Sequence, residues 1–204
     1  MHCATTRNCV ALPAVSTAAI AEFHDLPLQP HPASAPGPLR ALSVSGALEP
    51  GGQITLDYLL QGELLRLRLP PPARQPQRRD ELWRHTCLEL FAQRESAAGY
   101  LEFNFSPSGD WAAYRFDDCR SGQRHDEAQS VGITVHALGP GQLRIQARAQ
   151  LPSPPPGRAT EQPWRLGLAA VIEADDDTLA YWALRHTREK PDFHAADSFG
   201  VALP

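Results

Sequence analysis

Short runs of alternating side chains, each closed by turn residues, recur along most of this chain and leave no room for a long helix. Glu63–Leu69 shows the pattern plainly: Leu65, Leu67 and Leu69 fall on one side, Arg66 and Arg68 on the other. A period of two is that of a strand with one buried face. Comparable runs lie at Leu39–Leu48, Gln53–Leu60, Leu82–Ala92, Tyr100–Phe105, Trp111–Phe116, Val131–Ala137, Gln142–Leu151, Arg165–Glu173, Thr178–His186 and Phe199–Leu203. Turn residues such as Glu49-Pro50-Gly51-Gly52, Gly139-Pro140-Gly141 and Asp175-Asp176-Asp177 separate them. Most of the twenty prolines cluster at Pro27–Pro38, Pro70–Pro76 and Pro152–Pro163, which marks loops rather than element interiors. No segment shows a helical period between capping signals. The pattern predicts an all-β fold, an antiparallel two-sheet β-sandwich of about nine or ten strands.

At 204 residues the chain has the length of one domain. Residues 1–36 read as an N-terminal tail or edge extension, partly disordered, ahead of a single sandwich domain over 37–204. The net charge of -4 is spread over both signs with no basic stripe, which argues against nucleic acid as a partner. No apolar run approaches the ~20 residues of a membrane-spanning helix. Val10–Ala21 is mildly apolar but interrupted by Pro13, Ser16 and Thr17, a weak pattern for an export signal. The cytoplasm is the expected compartment, with export through that weak signal as the alternative. The cysteines, Cys3, Cys9, Cys87 and Cys119, form no CxxC pair, so zinc is not expected. Cys87 reads as a buried thiol, and its pairing with Cys119 depends on the compartment.

Parity within the strands separates core from candidate site. Leu101, Phe103 and Phe105 form one face of Tyr100–Ser106, and Tyr100, Glu102, Asn104 and Ser106 the other. An aromatic ring, a carboxylate and an amide in a row suit a hydroxyl-rich ligand, because the polar groups offer paired, directional hydrogen bonds. In Leu82–Ala92, Glu89 shares its face with His85, Cys87 and Phe91. A carboxylate in that setting is costly unless it is paired or meets a cleft. A salt bridge to Arg84 or Arg115 is the plain alternative. Ser106-Pro107-Ser108-Gly109-Asp110 is turn chemistry and lacks the context of a nucleophile elbow. Asp192, His194 and Asp197 could ligate a cation but read more simply as a solvated loop. No phosphate-binding loop, dinucleotide fingerprint or HExxH is present, so no cofactor, metal or catalytic residue is assigned.

Four blocks carry a resemblance. They are Asp80–Phe91, Tyr100–Tyr114, Tyr181–His186 and Lys190–His194, and together they resemble the bacterial DOMON-like proteins related to family 9 carbohydrate-binding modules. The resemblance spans about residues 27–204. It implies a β-sandwich and, in the sugar-binding relatives, two aromatic rings that clamp a terminal sugar beside a Glu and an Asn. The matching positions here are Trp83, Glu89, Asn104 and Trp182. One departure is Glu102, where those relatives carry an Arg two before the Asn. The expected site is therefore Trp83, Glu89, Glu102, Asn104 and Trp182, with Arg84, Arg115 and His186 as neighbours. The expected role is non-catalytic binding of a small polar ligand such as a carbohydrate. Two alternatives stand beside it. One is a haem-binding electron-transfer domain, for which His85, His186 or His194 would have to serve because the sole methionine is Met1. The other is a hydrolase using Glu89 and His85 as acid and base.

Overall fold

The computed structural model describes residues 19–35, 37–126, 130–152 and 162–204. Cys3, Cys9, most of the candidate export signal and much of the Pro152–Pro163 loop lie outside them. Twelve strands follow in chain order: β1 (Ala21–Pro30), β2 (Leu39–Leu48), β3 (Gln53–Gly62), β4 (Cys87–Arg94), β5 (Tyr100–Phe105) and β6 (Trp111–Phe116). The remainder are β7 (Arg124–His125), β8 (Gly132–Gly139), β9 (Gln142–Gln150), β10 (Trp164–Glu173), β11 (Leu179–Ala183) and β12 (Val201–Leu203). All named strand pairs are antiparallel.

The strands form the two sheets of a sandwich. The first runs β1-β2-β3-β9-β8, and the second runs β7-β6-β5-β4-β10, with β11 and β12 sharing the far edge of β10. β1 joins them. Its first part pairs with β2, and Gln29 and Pro30 then pair with β11. Residues 21–30, within the expected N-terminal tail or edge extension, form a strand with Phe23 and Leu28 buried in the core. Pro27 and Pro30 disguised it, because proline demotes a run that otherwise alternates.

The core between the sheets follows the parity of the strands. Leu88, Leu90, Leu101, Phe103 and Phe105 face Leu56, Tyr58, Leu60 and Ile145. Tyr58 reaches across and donates a hydrogen bond to the Glu89 carbonyl at 3.1 Å, tying the sheets together behind the site. A second, smaller cluster covers the opposite, outer face of the second sheet: Phe91, Tyr100, Tyr114, Phe116, Phe193 and Phe199 belong to it. A sheet buried on both faces reads as a continuous apolar run, which is why β4 and β10 lack clean alternation.

Two expected strands are shorter or absent. Leu64–Arg66 is a 3-10 turn, and only Leu67 forms a bridge, to Ala174. Leu65 points fully into solvent, while Arg68 donates to Glu173 and to the Asp175 carbonyl. The arginines there fasten the Asp175–Asp177 turn instead of lining a strand. Leu82–Arg84 is likewise a 3-10 turn, and its strand begins only at Cys87.

Candidate functional site

The register of the second sheet lays out the site. Across its outer face one row reads Gly167, Phe91, Glu102, Tyr114, His125, and the next reads Ala183, Ala169, Glu89, Asn104, Ala112. Directly paired residues share a face, so Glu89 and Glu102 are diagonal neighbours on adjacent strands. They sit at the bottom of a cleft of about 760 Å³. Its walls include Trp83 and Glu81 on the turn before β4, Tyr181 from β11, Arg120, and Phe193 and His194 from the loop after β11.

The two carboxyl groups are nearly sealed, Glu89 at 3% exposure and Glu102 at 6%. Asn104 donates from Nδ2 to Glu102 Oε1 at 2.7 Å, and its own Oδ1 accepts the Cys87 thiol at 3.7 Å. The Glu89 carboxyl receives no hydrogen bond among the described residues. Burial pushes the Glu89 carboxyl well above the usual range, and the neighbouring Glu102 pushes it further. Burial likewise raises Glu102 to about 7, against the pull of the Asn104 hydrogen bond.

His194 closes one side. Burial lowers its pKa to about 4, and the nearby Arg120 guanidinium adds to the effect. The ring is therefore neutral at physiological pH, and its approach to Glu102 (Nε2–Oε2 3.8 Å) is not a salt bridge there. Tyr100, raised to about 12 chiefly by burial, keeps its proton and donates it to His194 Nδ1 at 2.7 Å, while its oxygen accepts the Arg120 N–H. That arrangement leaves the Nε2 proton of His194 pointing at Glu102.

The rim is held by ion pairs. Asp80 accepts from Tyr114 Oη at 2.7 Å and pairs with His125 at 3.2 Å, and Arg120 pairs with Asp192 at 2.8 Å. Glu81 and Arg120 both have left-handed backbone, at φ 61° and 53°. Such conformations cost of order 1 kcal/mol or more for residues other than glycine and persist where surrounding structure enforces them. The Glu81 kink turns Trp83 outward, and its ring remains 46% exposed.

The expected site residues separate into two groups. Trp83, Glu89 and Glu102 line one cleft, with Asn104 fully buried beneath Glu102. Arg84 lies at the rim, its guanidinium 5.4 Å from the Trp83 ring centroid and paired with Glu81 at 2.6 Å. Trp182 belongs elsewhere: it pairs with Ala170 and Pro30, faces the inter-sheet core, and is 5% exposed. Its neighbour Tyr181 has the cleft-facing parity. Arg115 also faces the other side of its sheet, where it pairs with Asp126. His186 packs edge-on to His31 and binds the Gln29 carbonyl.

The alternatives meet the same geometry. His85 is bound to Glu173 at 2.8 Å, so it forms no acid–base pair with Glu89. Asp192 is taken by Arg120 and Asp197 by Arg188, and no cluster of three metal-binding side chains forms among the described residues. Cys87 is buried, Cys119 is exposed, and both are free thiols. Tyr181, Arg120 and His194 were not expected in the site. Tyr181 was within reach of parity counting, but the positions of Arg120 and His194 follow from loop paths that carry no local signal.

No protein-family profile matches the chain, and no curated protein matches it in sequence. Solved structures do. A proposed carbohydrate-binding protein from Bacteroides uniformis ATCC 8492 superposes with a TM-score of 0.53 at 16% identity, covering 85% of this chain and 84% of that one. Family 9 carbohydrate-binding modules from Caldicellulosiruptor kristjanssonii also match. The module in complex with glucose gives a TM-score of 0.41 at 12% identity, over 77% of this chain and 74% of that one. The module in complex with cellotriose gives 0.39 at 12% identity, over 77% and 72%. The first of these likenesses shows that the β-sandwich fold is shared.

Proposed function

We propose that the outer-face cleft binds a sugar or sugar-derived polyol reversibly, and that the domain is a binding module rather than a catalyst. One observation carries the reading: the buried Glu89 carboxyl faces the cleft with no hydrogen-bond partner among the described residues, beside the exposed ring of Trp83. A ligand hydroxyl would supply the hydrogen bond that this poorly solvated carboxyl lacks within the protein. Aromatic faces suit the C–H face of a pyranose, and Trp83 and Tyr181 supply two in the same cleft. Glu102, oriented by Asn104, offers a second fixed acceptor. The fold shared with a proposed carbohydrate-binding protein agrees with this assignment.

The test is a titration of the protein with mono- and disaccharides, followed by tryptophan fluorescence and melting temperature. Of the four tryptophans only Trp83 is a strongly exposed one. A bound sugar should therefore change the fluorescence of the wild type and not that of Trp83→Ala, which keeps the fold because the ring is outside the core. The proposal fails if no saccharide changes either signal.

A further inference from the structure

We propose that the ligand of this cleft carries a protonated amine, so that among sugars the site is built for an amino sugar. The inference rests on the reading of the cleft as a sugar site and adds the ligand's charge.

The charges at the rim are matched by partners, and those at the floor are not. Asp80 has Arg78 and His125, Glu81 has Arg84, and Arg120 has Asp192, all within 4.0 Å. Glu89 and Glu102 have no cationic partner at that distance. Arg120 is near enough to bias both, yet its guanidinium is held by Asp192 and stays largely exposed. His194 is neutral and presents only an N–H. The cleft floor therefore concentrates two carboxyl groups in a poorly solvated place with no counter-ion. Burial of an unpaired carboxylate is costly, and a cation placed between the two would favour their ionised forms.

The walls point the same way. Trp83, Tyr114, Phe116, Tyr181 and Phe193 ring the acids, and aromatic faces attract ammonium groups as well as sugar C–H faces. The Trp83 ring already has the Arg84 guanidinium over it, at 5.4 Å. Once a cation has drawn the two acids into their ionised forms, the floor is rich in acceptors backed by aromatic walls. An ammonium group, with three donors and no acceptor, complements it better than a hydroxyl, which needs both.

The experiment is calorimetric titration of the full chain at neutral pH with glucosamine, glucose and N-acetylglucosamine, and with spermidine as an amine that is not a sugar. Glucosamine should bind at least about ten-fold more tightly than the two uncharged sugars. Glu89→Gln and Glu102→Gln should each erase that preference, glucosamine then binding no more tightly than glucose or N-acetylglucosamine, whatever either change does to sugar affinity as a whole. Equal affinity for all three in the wild type, or a preference for an uncharged one, overturns the amine inference and leaves the sugar reading intact. Binding of spermidine with no sugar bound overturns the sugar reading and upholds the amine. No binding of any of the four overturns both.

Discussion

At the scale of single residues the site is governed by what burial does to acids. Glu102 has a folded-state pKa of about 7 against an ordinary 4.5, so folding favours its protonated form. That contribution is fully present below the ordinary value and is lost as pH rises through about 7. Its size is on the order of 3 kcal/mol. His194 has the opposite sign. Its value of about 4 lies below the ordinary 6.5, so its contribution is present above that value and is lost as pH falls through about 4. Stability should therefore peak in mildly acidic solution. Glu102→Gln removes this residue's share of the alkaline limb and leaves that of Glu89, because the amide oxygen can still accept from Asn104 and carries no charge. The variant should melt above the wild type at about pH 8 and close to it at about pH 4. Parallel melting curves across that range would contradict the assignment.

At the scale of elements, β10 is the scaffold on which the outer cluster is built. Gly167 sits in the row with Phe91 and Glu102, and a Cβ there would lie 2.6 Å from the Phe199 ring. The missing side chain is what lets Phe199 stack on Phe91 at 5.9 Å, and Phe91 in turn abuts His194 at 5.2 Å. Gly167→Ala should displace Phe199 and cost about 1–3 kcal/mol, as overpacking of a filled core does. Denaturant unfolding should show a lower midpoint with an unchanged slope. Because the displacement runs through Phe91 to His194, ligand affinity should fall with it, whereas an effect on affinity without one on stability would exclude this route.

At the scale of the molecule, β1 is the joint between the sheets. It is the strand that pairs with both β2 and β11, and its side chains Phe23 and Leu28 reach the inter-sheet core. Deletion of residues 21–30 should expose the edges of both sheets and abolish cooperative thermal unfolding, monitored by circular dichroism. A deletion variant that still melted in one sharp transition would show that the sheets hold together without it.

The sequence by itself determined the all-β class and the inner face of β5, because alternation at Leu101, Phe103 and Phe105 is a property of the extended chain. Parity within single strands brought Glu89, Glu102 and Asn104 forward, and the family resemblance grouped Trp83 and Trp182 with them; that β4 and β5 lie side by side is a finding of the structure. Parity alone did not say which face of β11 meets the cleft. Trp182 and Tyr181 are both aromatic, and only pairing to Ala170 or Val171 of β10 decides that Trp182 goes inward and Tyr181 outward. The apolar face of β4 that carries Glu89 was legible as unusual, but its lack of a partner was not. That depends on where Arg84, Arg115 and His85 point, and each found a different contact. Tertiary structure settled these matters because a strand fixes the alternation of its own side chains, whereas a cleft is made by the distances between strands and loops far apart in the chain.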